Sequence, residues 1–333
     1  MYEKLLLRSV VMKSLYFAPI NIVGNYIYRH LLLELSADFV FSELLMVKKF
    51  DEDDYLERKL KIFPEDVSKT IFQIGAGSED EIVKAVKVLN NIGAKEINVN
   101  MGCPHSTFIK EKVCCGILFD KELLEKLCGV LFEECFKKNI VPSIKLRIGT
   151  SQESLDISDY LKIIKKSGIK KVYIHARSVG QPYFVSANFD AIKFIKKEFS
   201  GMELIYNGDI DCYEMYEKVE NYFDGVMIGR AALINPFVFD DIRNKRIGRK
   251  NFFEPVLNDL SLVITDSIIL SEKKRNFIIK YLDLATLENL SSNSVRQNLA
   301  HLLKGVSHSG EFFEKINVKL EIKDIRNIFK DLF

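Results

Sequence analysis

The chain contains no tryptophan, only seven prolines and only five histidines in 333 residues. So few histidines leave little material for a mixed Cys/His zinc site, and the six cysteines follow no CxxC spacing. Most of these cysteines read as small buried apolar residues in a reducing compartment. Cys128, Cys135 and Cys212 do so because they fall inside helical patterns. Neither sign of charge dominates. Lys and Arg number 48 against 46 Asp and Glu, a net charge of +2, so bulk charge names no partner. No apolar run reaches the roughly 20 residues of a membrane span. The first residues, from Met1 to Val11, lack a small-residue cleavage site. The expectation is a cytoplasmic protein. No G-x-G-x-x-G follows the first apolar run, which argues against an open dinucleotide-binding sheet. Paired carboxylates, a Ser-His-Asp pattern and a metal-binding cluster are also missing from the sequence pattern.

The composition is 47% hydrophobic and 28% charged, ordinary for a globular chain of one large domain and a smaller one. Eight short apolar runs read as strands, at 15–18, 39–42, 70–73, 97–100, 143–146, 171–175, 203–207 and 225–228. Most gaps between them have helical periodicity. Residues 80–91 place Ile82, Val83, Val86 and Leu89 on one stripe. Gly93, Gly168 and Gly201 stand just before strands, where helices end in a left-handed residue. This alternation predicts an α/β fold, a (β/α)8 barrel.

The pattern changes near Phe239. Residues 242–253 carry Arg243, Lys245, Arg246, Arg249 and Lys250 without an acid. Helical segments follow at 256–271, 273–282, 294–304 and 322–332. The expected division is a catalytic barrel at 1–240 and a small helical domain at 241–333. The basic run is either a solvated linker or a grip for phosphates.

A barrel sets its functional groups at the carboxyl ends of its strands. The run Ile97-Asn98-Val99-Asn100-Met101-Gly102-Cys103-Pro104 puts a thiol there. The other runs lead to Pro19, Ile20 and Asn21; to Gln73; to Lys145 and Arg147; to His175 and Arg177; to Asn207, Gly208 and Asp209; and to Gly229 and Arg230. Glycines beside polar groups after the last two strands suit a phosphate, and Arg230 adds charge. Gln73 and Lys145 offer an amide and a cation suited to the edge of a flavin ring. Lys145, between Ile144 and Leu146, points into the barrel by strand alternation. Redox chemistry on a phosphate-bearing flavin fits this inventory.

With these residues in place, the sequence resembles the tRNA-dihydrouridine synthase family, flavin enzymes that reduce specific uridines in tRNA. The resemblance runs through Phe17-Ala18-Pro19-Ile20, Phe39-Val40-Phe41-Ser42-Glu43-Leu44, the Asn98 to Pro104 segment and Lys145-Leu146-Arg147-Ile148-Gly149. It continues through the segment from His175 to Tyr183, Asn207-Gly208-Asp209-Ile210 and the run from Met227 to Pro236. Arg296 and Lys304-Gly305 resemble a weaker pattern in the family's helical RNA-binding domain. The resemblance implies FMN contacts from Pro19, Ile20, Asn21, Gln73, Lys145, His175, Asn207, Gly208, Asp209, Gly229 and Arg230. It implies Cys103 as proton donor and Asn100 and Arg177 facing the uracil. It also implies NADPH or NADH as reductant, tRNA or another structured RNA as partner, and a monomer with no obligate protein partner.

Two features depart from the family pattern. Pro104 is followed by His105-Ser106-Thr107 where a basic residue is usual. A glycine-alanine stretch is replaced by Lys112-Val113-Cys114-Cys115-Gly116. The implied reaction saturates the uracil C5=C6 bond, with a hydride delivered to C6 and a proton from Cys103 to C5. A thiol, ordinarily near pKa 8.5, is mostly protonated at neutral pH and still acidic enough to donate. The uridine must leave its stack, which costs about a few kcal/mol. A flavin barrel acting on a free pyrimidine, and an RNA-binding paralogue with weak catalysis, are the alternative readings.

Overall fold

The computed structural model describes residues 13–21, 23–151, 153–245, 270–318 and 320–333. Among these residues nine strands run in chain order: β1 (Ser14–Phe17), β2 (Phe39–Phe41), β3 (Leu45–Met46), β4 (Thr70–Gly75), β5 (Glu96–Met101), β6 (Val141–Arg147), β7 (Lys171–His175), β8 (Glu203–Asn207) and β9 (Gly225–Ile228). Every pairing is parallel. β1 pairs with both β2 and β9, and β2 also pairs with β4, so the sheet closes on itself. The result is a (β/α)8 barrel, as expected, and all eight predicted runs are its staves. β3 is a two-residue addition alongside β4, too short to leave a period-two signal.

Alternation along each strand separates two cores. Ile97, Val99 and Met101 of β5 join the large cluster between strands and helices. Inside the barrel, Tyr16, Ala18, Phe41, Ile71, Tyr173, Ile205 and Met227 form a second cluster. Below it the interior is charged. Glu96 Oε2 meets Lys171 Nζ at 3.0 Å, and that ammonium lies 5.1 Å from the Tyr16 ring centroid. The outer helices begin and end as their sequences dictate. In the helix Glu79–Asn91, the Ser78 side chain accepts from the Glu81 amide, and three acids in the first turn suit the helix dipole. Its buried stripe is Ile82, Ala85, Val86 and Leu89, so Val83, expected on it, instead lies exposed. Gly93, Gly168 and Gly201 are left-handed, with φ of 81°, 97° and 88°. At Gly168 a side chain would also meet the Phe132 ring at 2.8 Å.

The carboxyl-terminal helices span Glu272–Leu287, Ser292–Leu302, Ser309–Ile316 and Ile322–Leu332. The third was not among the predicted segments. It is short, and Gly310 in its first turn weakens its helical signal. The predicted segment at 256–271, apart from its last two positions, and the cations Arg246, Arg249 and Lys250 lie outside the described residues. Arg243, the first cation of that run, is a structural residue that pairs with Asp38. The helix Val238–Arg243 runs across position 240 and buries Val238, Phe239 and Ile242. Cys128 and Cys135 are buried within a helix, whereas Cys212 is the residue that precedes one. No helix among the described residues is long and apolar enough to cross a membrane.

The carboxyl-terminal helices grip the first loop of the barrel. The Gly24 amide donates to Asn298 Oδ1 at 3.0 Å, and Asn25 Nδ2 donates to Tyr281 Oη at 2.8 Å. Tyr28 packs edge-on against Phe277 and Tyr281, and its hydroxyl donates to Ala232 O at 2.7 Å.

Candidate active site

A cavity of about 400 Å³ opens at the carboxyl ends of the strands. It is lined by the site residues singled out in the sequence, Arg147 excepted: Pro19, Ile20, Asn21, Gln73, Asn100, Cys103, Lys145, His175, Arg177, Asn207, Gly208, Asp209, Gly229 and Arg230. Strand register brings them together. Asn100 stands beside Lys145, Arg147 beside His175, and His175 beside Asn207. Their side chains face inward because each occupies the same parity on its strand.

A directed chain of hydrogen bonds rises from the barrel floor to the cysteine. Ser143 Oγ donates to the Glu96 carboxylate at 2.7 Å, and Asn98 Nδ2 donates to Ser143 Oγ at 2.9 Å. Gln73 Nε2 donates to Asn98 Oδ1 at 2.8 Å, and Asn100 Nδ2 donates to Gln73 Oε1 at 2.7 Å. Asn100 Oδ1 then accepts from the amides of Gly102 and Cys103, both at 2.9 Å. A carboxylate only accepts, so Glu96 sets the orientation of each amide above it. Asn100 thus braces the loop that carries Cys103, and Gln73 keeps one amide hydrogen for the cavity.

The cations crowd one wall. Lys145 is buried, and no hydrogen-bond or ion-pair partner is seen for its ammonium among the described residues. Burial, with help from Arg147, lowers its pKa to about 7. His175 is also held well below its ordinary value, by burial first and then by Lys145 and three arginines. Arg177 Nη1 lies 3.2 Å from His175 Nε2. A guanidinium only donates, so Nε2 is the acceptor and Nδ1 carries the proton.

Arg177 is largely committed to protein groups. It donates to Val185 O at 2.8 Å, to Tyr183 O at 3.3 Å and to both oxygens of Asp209 at 2.8 and 2.6 Å. Asp209 also accepts from the Ala187 amide at 2.8 Å and from Arg230 at 3.0 Å. The Asp209 carboxylate is therefore occupied by cations, and what it offers the cavity is backbone. At Gly229 an added Cβ would meet only Ala18 at 3.6 Å and Ile20 at 4.0 Å, so this strand end opens onto free space.

The altered loop keeps the backbone that glycines would favour. Lys112 and Cys114 are both left-handed, with φ of 52°. Cys115 is buried, and burial pushes its thiol up to about 12. That thiol stays protonated and donates to the carbonyl of Cys103 at 2.7 Å. One wall residue, Tyr183, was not singled out, and Arg147, read from the sequence at a strand end, was given no role there. Tyr183 lines the cavity and Arg147 supports it, donating to Gly102 O at 2.8 Å and Ser178 O at 2.6 Å. Both stand in quoted motifs, and the inward parity that marked Lys145 also marks Arg147.

A model of the family described as dihydrouridine synthase matches residues 16–321. A probable tRNA-dihydrouridine synthase of Aquifex aeolicus is 28% identical over 254 residues, covering 74% of this chain and 78% of its own. A tRNA-dihydrouridine synthase B of Pasteurella multocida is 26% identical over 257 residues, covering 76% of each chain. A probable tRNA-dihydrouridine synthase of Rickettsia bellii is 27% identical over 233 residues, covering 69% of this chain and 70% of its own. With a family match across nearly the whole chain, laid over a barrel whose strand ends converge on Cys103, the protein belongs to the dihydrouridine synthase family.

Proposed function

We propose that this chain reduces the C5=C6 bond of particular uridines in tRNA to 5,6-dihydrouridine, with FMN in the cavity and Cys103 as proton donor. The observation that carries the reading is the braced position of Cys103 at the rim of a cavity whose wall holds the buried Lys145 ammonium, for which no acceptor is seen among the described residues. The residues present fit a phosphate-bearing flavin. Lys145 has a buried ammonium short of an acceptor, and an acceptor-rich ring edge would restore its charge. Gln73 offers its remaining amide hydrogen on the adjoining wall. His175 presents Nδ1–H. Gly208, Gly229 and Arg230 would hold the phosphate, and Pro19, Ile20 and Asn21 would close the opposite side. When bound, FMN supplies the hydride, with NADPH as the source of reducing equivalents.

The chain's own groups do the rest. Asn100 and Cys115 hold Cys103 from its amide and its carbonyl, so the thiol meets the uracil from a fixed backbone. Cys103 gives its proton to C5. Asn100 keeps one amide hydrogen that can meet the base. Arg177 acts mainly by holding the loop above the cavity. The barrel, 1–240, is the catalytic unit. The helices of 241–333 would hold folded RNA and offset the cost of unstacking the uridine.

The test is Cys103→Ala in a strain lacking the wild-type gene. The variant should keep its flavin and lose dihydrouridine by about 100-fold or more. Dihydrouridine should vanish at defined tRNA positions and return only with the wild-type gene. Loss of flavin from the variant, or an unchanged dihydrouridine map, would count against this reading.

A further inference from the structure

The turn over the cavity is built from the wrong residues for a turn, and its tip is exposed. Val185 N donates to Pro182 O at 3.2 Å, which places Tyr183 and Phe184 at the two central positions. Such positions favour Gly, Asn, Asp, Ser or Pro for their backbone chemistry. Here they hold aromatics. Tyr183 is 51% exposed, Phe184 66% and Val185 41%. Phe184 and Val185, adjacent apolar side chains in water, bring little folding benefit, so their placement points to a partner.

The turn is held rigid from beneath. Buried Arg177 donates to Val185 O and Tyr183 O, and Gln181 Nε2 donates to Ser186 O at 2.8 Å. The Tyr183 ring faces the cavity. Arg147, Arg177 and Arg230 lie 5.6, 5.7 and 4.9 Å from its centroid, and His175 stacks against it at 6.0 Å. Phe184 is left as the exposed aromatic at the edge of that wall.

We propose that Phe184, backed by Val185, is a stacking platform for a nucleobase next to the target uridine. The inference rests on the RNA-reducing function proposed above. A base flanking an extruded uridine has lost one stacking neighbour, and an aromatic side chain can replace it. Charge favours this occupant over a second copy of the chain. Among the described residues the guanidiniums of Arg147, Arg177 and Arg230 lie around the Tyr183 ring, and Asp209 pairs with two of them, a cationic surrounding that attracts a polyanion and repels its like. The patch is also only three side chains wide, well short of the roughly 800 Å² per partner in a stable protein interface.

The experiment compares the flavin-loaded wild type with Phe184→Ala and Phe184→Trp on an unmodified tRNA pool transcribed in vitro. RNA affinity is read by filter binding, and kcat/KM by dihydrouridine formed. Melting temperature and flavin content confirm that each variant is folded. Phe184→Ala should lose about 5- to 100-fold in both RNA affinity and kcat/KM, with Phe184→Trp close to wild type. An active wild type with Phe184→Ala within twofold of it overturns the platform alone. So does concentration-dependent self-association of the wild type that Phe184→Ala abolishes while RNA affinity is unchanged. A wild type that binds flavin and leaves uridine unreduced in the pool overturns the parent reading, and the platform with it.

Discussion

The side-chain carbonyl of Asn100 accepts the backbone amide of Cys103 at 2.9 Å, and the other end of the same side chain donates to Gln73 at 2.7 Å. Asn100 is thus the last link of a chain anchored on Glu96, and it holds the loop that carries the thiol. Asn100→Ala removes the brace and leaves the Gly102 and Cys103 amides without that acceptor. The rate of dihydrouridine formation in a single turnover should fall by about 10- to 100-fold, as expected for a small misplacement of a reacting group. Flavin binding should survive. A rate within twofold of wild type would show that the loop holds its shape without Asn100.

Lys145 gives a pH dependence with a definite sign. Its folded pKa is depressed to about 7, below the ordinary lysine value. Between about pH 7 and 10.5 the unfolded chain therefore binds the extra proton, and stability of the flavin-free protein rises with pH across that window. Below about pH 7 lysine is charged in both states, so this contribution is absent. An acceptor placed against the ammonium raises its pKa again. Flavin binding at pH 8 should then take up a proton, visible in calorimetry as a dependence on buffer ionisation heat. Lys145→Met should abolish the uptake and weaken flavin by about 10- to 100-fold.

Asp209 joins the loop above the cavity to the strand ends below it. Arg177 is 2% exposed and would be left buried beside a neutral amide in Asp209→Asn. Breaking one side of such a pair costs about 3 kcal/mol, and somewhat less here because Asp209 retains some solvent. Urea unfolding of the flavin-free protein should report a loss of about 2–3 kcal/mol. A loss under 0.5 kcal/mol would mean that the loop and Arg177 are held independently of this pair.

Lys112 carries left-handed backbone on an exposed side chain. Its ion pair with Asp120, 2.8 Å long, is also exposed and stabilises little. Lys112→Gly should relieve the backbone and raise stability by about 0.5–1 kcal/mol in urea unfolding. Cys114 shares the backbone angle, but its side chain is buried, so Cys114→Gly should show no such gain. A destabilised Lys112→Gly would place the strain elsewhere in the loop.

The fold and the membership of the cavity were legible because both follow from periodicity. A parallel strand buried on both faces is a short apolar run, and its inward polar positions are read from parity, as for Gln73, Asn100 and Lys145. The short strand Leu45–Met46 and the helix Ser309–Ile316 were not legible. Two residues show no period, and a short helix with a glycine in its first turn has little signal. Arg177 and Asp209 were placed correctly on the cavity wall, yet their hydrogen-bond partners were invisible, because those partners lie elsewhere in sequence.

From the sequence alone came the barrel, the thiol at a strand end and the set of groups that meet it. All three depend on local pattern and on the register that the barrel imposes. Only the tertiary structure decided which way each amide turns, which cations are already neutralised and which aromatic is left in water. Those outcomes depend on the distance and direction between side chains far apart in the chain. Hydrogen bonds and buried charges are sensitive to fractions of an ångström that no spacing of residues encodes.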